Sequence, residues 1–110
     1  MTDIYPNIEL HIAGKWTPAI GSETIDVLNP ATEEPIGNVA HARVPDLNIA
    51  LEAAEAAFTV WKDVPAFERY KLMRKAADLV RERADSIAAL MTMEQGKPVG
   101  EAKIETLFGA

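Results

Sequence analysis

Carboxylates are the reactive groups this sequence offers most freely, and two pairs stand close enough to act together. Glu33 and Glu34 are adjacent, and Glu52 and Glu55 are three residues apart. Paired carboxyls can serve as general acid and base when their environments separate their protonation states. Glu33-Glu34 falls in a turn, however, and Glu52 and Glu55 fall on the polar side of a helix, where solvation is the ordinary role. His11 and His41 each lie in or beside a strand, with no second histidine or acidic partner at metal-ligand spacing. The 110 residues contain no cysteine, which excludes a disulfide framework, a thiolate metal site and a cysteine nucleophile among them. Neither a Gly-x-Gly-x-x-Gly run nor a Gly-x-x-x-x-Gly-Lys-Ser/Thr loop occurs, so no phosphate cradle is visible.

Composition narrows the function classes further. A chain that is 48% hydrophobic and 25% charged reads as soluble and globular, and its length suits one domain. The net charge of −6 provides no basic face for nucleic acid. Most of the acidic excess lies in residues 1–44, with two Lys/Arg against six Asp/Glu. No segment has the order of a signal peptide, and no apolar run approaches about 20 residues. These features predict a cytoplasmic protein that does not enter a membrane.

The elements that must position these residues divide near Val44. Over 8–41, short alternating segments are separated by turn formers. The segments are Ile8–Ile12, Thr24–Leu28 and Ile36–Ala40, and each has the period of a half-buried strand. Ile8, Leu10 and Ile12 are expected to share one face, and the link through Gly14 to Trp16 predicts a hairpin. Over 45–110 the period becomes helical. Pro45 is placed to open a helix, and Asp46 adds negative charge at its positive end. Leu47, Ala50, Leu51, Ala54, Phe58 and Trp61 form an apolar stripe that ends before Pro65. A second stretch runs from about Ala66 towards Met93. Tyr70, Met73, Ala76, Ala77, Val80, Ala84, Ile87 and Met91 form its expected buried side, while Arg69, Lys75, Asp78 and Glu82 face water. Its length predicts a break around Arg83-Ala84-Asp85. A further helix begins near Gly100. So few strands leave open edges and apolar surface that needs a partner.

Read alone, the short motifs have structural explanations. Glu94-Gln95-Gly96-Lys97-Pro98 is a helix C-terminus, with glycine for left-handed geometry and proline as a stop. Trp16 is a hairpin aromatic expected to pack over an apolar face, and Asn29-Pro30 initiates a turn. Glu94 by itself is a salt-bridged or solvated carboxylate.

Taken in order, His11-Ile12-Ala13-Gly14-Lys15-Trp16, Asn29-Pro30-Ala31-Thr32, Ala54-Glu55-Ala56-Ala57-Phe58 with Trp61, and Glu94-Gln95-Gly96-Lys97-Pro98 resemble the N-terminal segment of the NAD(P)-dependent aldehyde dehydrogenases. The resemblance runs from about Ile8 to Glu105. It implies an α/β parent with a Rossmann-like dinucleotide-binding domain. Residues 1–110 would be the N-terminal part of that domain: a β-hairpin and short strands, then two or three α-helices, with the catalytic domain absent. It also implies oxidation of a small aldehyde to the carboxylate. A cysteine thiolate forms a thiohemiacetal, hydride passes to NAD or NADP, and a glutamate-activated water hydrolyses the thioester. The residues for these steps, and most of those that bind the cofactor, lie outside this chain, so the chain alone is expected to be inactive.

Many members of that family hold a monovalent cation, and the resemblance carries this role to the backbone carbonyls of Val27 and Leu28 and the carboxylate of Glu94. Here Glu94 stands where aspartate is common, which shifts the ligand position, and the remaining family ligand lies beyond Ala110. The run Met93–Lys103 looks most like the succinate-semialdehyde dehydrogenase branch, with a broader-specificity aldehyde dehydrogenase as the competitor. The implied partners are the remainder of the parent chain and, for the parent, a homodimer or homotetramer. The alternative from another class is a stand-alone, non-catalytic helical interaction module derived from the family. The stop inside an incipient helix at Leu107–Ala110 favours a truncated enzyme over that module.

Overall fold

In the computed structural model, which describes residues 5–110, the Ala13-Gly14 link folds the chain back on itself. Ala13 (φ 51°) and Gly14 (φ 77°) both take left-handed geometry, as a two-residue type I′ hairpin turn requires. The strands it joins are β1 (Leu10–Ile12) and β2 (Lys15–Thr17), antiparallel, with Leu10 opposite Thr17, His11 opposite Trp16 and Ile12 opposite Lys15. The predicted strand from Ile8 to Ile12 is therefore divided. Ile8 forms a parallel bridge with Val39, donating its N–H to Asn38 O (3.0 Å) and accepting from Ala40 N–H (2.8 Å). One alternating pattern thus serves two different partners.

Two more strands follow where the alternation predicts them: β3 (Thr24–Leu28) and β4 (Pro35–Ala40), paired with each other. His41 N–H donates to Glu23 O at one end (2.8 Å), and Asn29 N–H donates to Glu34 O at the other (2.9 Å). The buried Tyr5 ring lies against Gly37 of β4, in the space where any Cβ would stand. Trp16 departs from expectation. It is 66% exposed rather than packed over an apolar face, and its ring meets that of cross-strand His11 edge-on (centroids 4.8 Å apart).

Helix α1 spans Val44–Trp61, so Val44 rather than Pro45 is its first residue. Pro45 still falls within the first turn, where N–H groups have no intrahelical partner. The α1 face that meets β1 is made of small residues, with Ala50 and Ala53 half-buried. Asp63-Val64-Pro65 ends the helix as predicted.

The remaining helices are α2 (Ala66–Glu82), α3 (Ala84–Gln95) and α4 (Val99–Gly109). The predicted break falls at Arg83 (φ −97°, ψ 10°), and α3 restarts on buried Ala84. α3 and α4 are the most closely packed helix pair, through buried Ala84 and Ala88 on one and Ala102 and Thr106 on the other. Thr106 returns its hydroxyl to Ala102 O (2.9 Å), which satisfies the one polar group in that set. Lys97 pairs with Glu105, and Lys103 with Asp85 (2.7 Å).

The expected buried side of the second helical stretch is only partly correct. Ala77, Val80 and Ile87 are half-buried and Ala84 is buried, but Tyr70, Met73 and Ala76 are exposed, and Arg69 is half-buried instead of facing water. Tyr70, Met73 and Ala76 line an open groove against the end of α4 at Gly109 and Ala110. Burial thus follows neighbours, not periodicity alone.

The chain forms two compact units. The first is the chain through Val27 together with Pro35–Asp63, and the second is Leu28–Glu34 together with Val64–Ala110. Among the described residues no large side chain is fully buried, and the interior is mostly alanine. No helix among them is long and apolar enough to cross a membrane.

Candidate functional site

After Leu28 the chain makes an Asx turn, in which Asn29 Oδ1 accepts Ala31 N–H (2.9 Å) and Asn29 O accepts Glu33 N–H (2.7 Å). Glu33 enters left-handed geometry (φ 61°) to close it. The turn sets Pro30 against the end of α3. There Gly96, at φ 75°, donates its N–H to Thr92 O (2.8 Å), and a Cβ on Gly96 would lie 3.2 Å from Pro30 Cγ. Leu28, just before the turn, and Glu94, two residues before Gly96, therefore stand on neighbouring segments of the second unit. Val27, the other carbonyl of the expected cation site, belongs to the first unit.

The charge balance at the end of α3 suits a cation. Its last turn carries Glu94 and no Lys or Arg, although the carbonyls there form the negative end of the helix. The nearby ammonium of Lys97 is taken up by Glu105. Among the described residues no group of three His, Cys, Asp or Glu comes together; carbonyl oxygens with a carboxylate are the ligand type of hard cations.

The other groups considered for chemistry remain apart. Glu33, Glu34, Glu52 and Glu55 are all exposed. His11 meets Trp16 in an edge-on ring contact. His41 gains an acidic neighbour through strand pairing, Glu23 Oε2 at 3.8 Å from Nδ1, beyond hydrogen-bond reach. That carboxylate is already held by Arg43 through Nε (2.9 Å) and Nη2 (2.7 Å).

Asp46 has the most specific role in the first unit, and its sequence position revealed only half of it. At 4% exposure, its Oδ2 accepts Arg43 N–H (2.8 Å) at the start of α1, and its Oδ1 accepts Ile20 N–H (2.9 Å) from the loop after β2. The hydrogen bond from Arg43, then that from Ile20, holds its carboxyl below the usual value of 3.8. The three-residue spacing of Arg43 and Asp46 at a helix start is the signal that could have disclosed the first bond, whereas the expectation for Asp46 goes no further than its charge. Ile20 is too distant in sequence for any local signal to have disclosed the second one.

The model of the aldehyde dehydrogenase family matches residues 16–110. The 4-(hydroxymethyl)benzenesulfonate dehydrogenase of Comamonas testosteroni is 38% identical over 109 residues, covering 99% of this chain and 23% of its own. The glutarate-semialdehyde dehydrogenase of Pseudomonas aeruginosa is 41% identical over 102 residues, covering 93% of this chain and 21% of its own. Among solved structures, the NAD-dependent aldehyde dehydrogenase of Sinorhizobium meliloti superposes with a TM-score of 0.92 and 32% identity, over 97% of this chain and 22% of that one. These neighbours have the expected Rossmann-like α/β fold. The chain spans about a fifth of the length of the relatives it matches.

Proposed function

Since this chain belongs to the aldehyde dehydrogenase family, we propose that it supplies the N-terminal part of the dinucleotide-binding domain of an NAD(P)-dependent aldehyde dehydrogenase. The observation that carries this is the agreement over nearly the whole chain, in sequence and in backbone, with enzymes of which it spans about a fifth. In the complete enzyme a cysteine thiolate adds to the aldehyde carbon, and a water activated by a glutamate hydrolyses the resulting thioester. NAD or NADP, when bound, accepts the hydride. The contribution of residues 1–110 is scaffold: hairpin, turn and helices that support the cofactor domain.

The substrate in this reading is a dicarboxylic semialdehyde such as succinate semialdehyde. It is supported by the succinate-semialdehyde dehydrogenase of Escherichia coli, 39% identical over 99 residues, and by the Pseudomonas glutarate-semialdehyde enzyme. A monovalent cation, taken by the carbonyls of Val27 and Leu28 and by the carboxylate of Glu94, belongs to the same reading through the family resemblance. The parent would act as a homodimer or homotetramer.

The test is a chimera in which these 110 residues replace the N-terminal fifth of the Escherichia coli enzyme. The expected result is reduction of NADP on addition of succinate semialdehyde, while the 110 residues alone give none. A soluble, correctly assembled chimera without turnover would sink the proposal. Reproducible turnover by the pure 110-residue chain would overturn the placement of its chemistry elsewhere.

A further inference from the structure

Trp16 differs from the other exposed aromatics in standing on the polar side of its element. It lies opposite His11 in the hairpin register, so both rings occupy the face that Leu10 and Ile12 leave. Leu10 and Ile12 are half-buried, while the indole is 66% exposed. Beside it, the chain from Pro6 to Glu9 forms the other wall of a groove of about 510 Å³, a size that suits a small molecule. The backbone holds these walls in place. Tyr5 is buried against Gly37, which anchors the entry to Pro6. Ile8 is fixed through its N–H and its carbonyl to the β4 strand, and the indole by strand pairing and the edge-on His11 ring. Walls set in advance lower the ordering cost of binding.

The charges around the groove favour one sign. Glu9 is its one ionisable group, it is exposed, and none of the ion pairs among the described residues uses it. Residues 1–44 hold only two cationic side chains, Lys15 and Arg43. Lys15 alternates to the face away from Trp16, and Arg43 is taken up by Glu23. An indole face beside an unpaired carboxylate attracts a cation and disfavours an anion.

We propose that this groove is a binding site for a small organic cation, an ammonium carrying an apolar or aromatic body. The charged head is drawn to the indole and the Glu9 carboxylate, and the body lies against Pro6 and Ile8. The competing occupant is a neutral apolar molecule, which would use the same walls and ignore Glu9. The inference stands on the hairpin and its neighbours and does not rest on the family reading.

The experiment is titration of the 110-residue chain, isotopically labelled at its two tryptophan indoles, with benzyltrimethylammonium. Trp61→Phe assigns the two indole N–H signals. The Trp16 signal is expected to move saturably, with a half-saturation on the order of millimolar, while that of Trp61 stays in place. Glu9→Gln should weaken binding about 2- to 5-fold, as loss of one exposed charge implies. Glu9→Asp, which keeps the charge, should restore most of it, and Glu52→Gln on α1 should change nothing. A Trp16 signal that starts from the same position in each variant shows that the hairpin is intact. Benzyl alcohol, the neutral probe, should bind more weakly and respond equally in wild type and Glu9→Gln. The proposal is overturned by the absence of a saturable shift, by equal shifts at both tryptophans, by indifference to Glu9→Gln, or by equal affinity for the neutral probe.

Discussion

A buried carboxylate that accepts two backbone N–H groups does most for stability when ionised, and Asp46 is placed in that way between Ile20 and Arg43. Its folded pKa lies below the unfolded value, so its contribution is complete above about pH 5 and disappears as pH falls through and below 3.8. Asp46→Asn keeps the shape but loses the charge and one acceptor. Its thermal midpoint should lie below that of the wild type at pH 7, and the gap should close on acidification towards about pH 3. A gap that persists unchanged at low pH would remove the carboxylate from this role. Gly96 is constrained twice, by its left-handed φ and by Pro30. Gly96→Ala should destabilise the second unit by about 1–2 kcal/mol, measurable as a lower denaturation midpoint. An unchanged midpoint would mean that the α3 end moves freely away from the turn.

At the scale of elements, the parts legible in the sequence are those whose causes are local. Ala13-Gly14 announced the hairpin, Pro65 ended one helix and opened the next, and the excess length of the Ala66–Met93 stretch required the break found at Arg83. The two carbonyls and the carboxylate of the candidate cation site were named through family resemblance, because nothing about Val27, Leu28 or Glu94 alone suggests ligation. What escaped detection depends on contacts distant in sequence: Ile8 bridging to Val39, Asp46 reaching Ile20, and the exposure of Tyr70 and Met73. Periodicity shows which face is apolar, not whether anything lies against it. The α3–α4 pairing follows from residue size, with Ala88 and Ala102 fully buried. Ala88→Leu should therefore force the helices apart and destabilise by about 1–3 kcal/mol. Retained helix content with an unaltered unfolding midpoint would show that this interface tolerates bulk.

For the whole molecule, an alanine interior combined with large exposed side chains such as Phe58, Phe67, Met73 and Phe108 predicts a surface that seeks cover. The isolated chain should bind a hydrophobic dye or self-associate, and this should be lost when the complementary part of the enzyme is present. A monomer with a sharp, cooperative melt and no dye binding would favour the stand-alone module. The division of the chain has one more effect. Leu28–Glu34 belongs to the second unit although the segments on both sides of it belong to the first. On the ribosome this turn emerges long before α3 is made, and its partner Gly96 lies roughly 65 residues downstream, a separation that makes such a contact slow to close. During synthesis both hairpins can form at once, the second with the local hydrogen bonds of its turn, while the contact of Pro30 with Gly96 must wait for the C-terminal helices. The order of assembly is thus built into the way the chain is threaded.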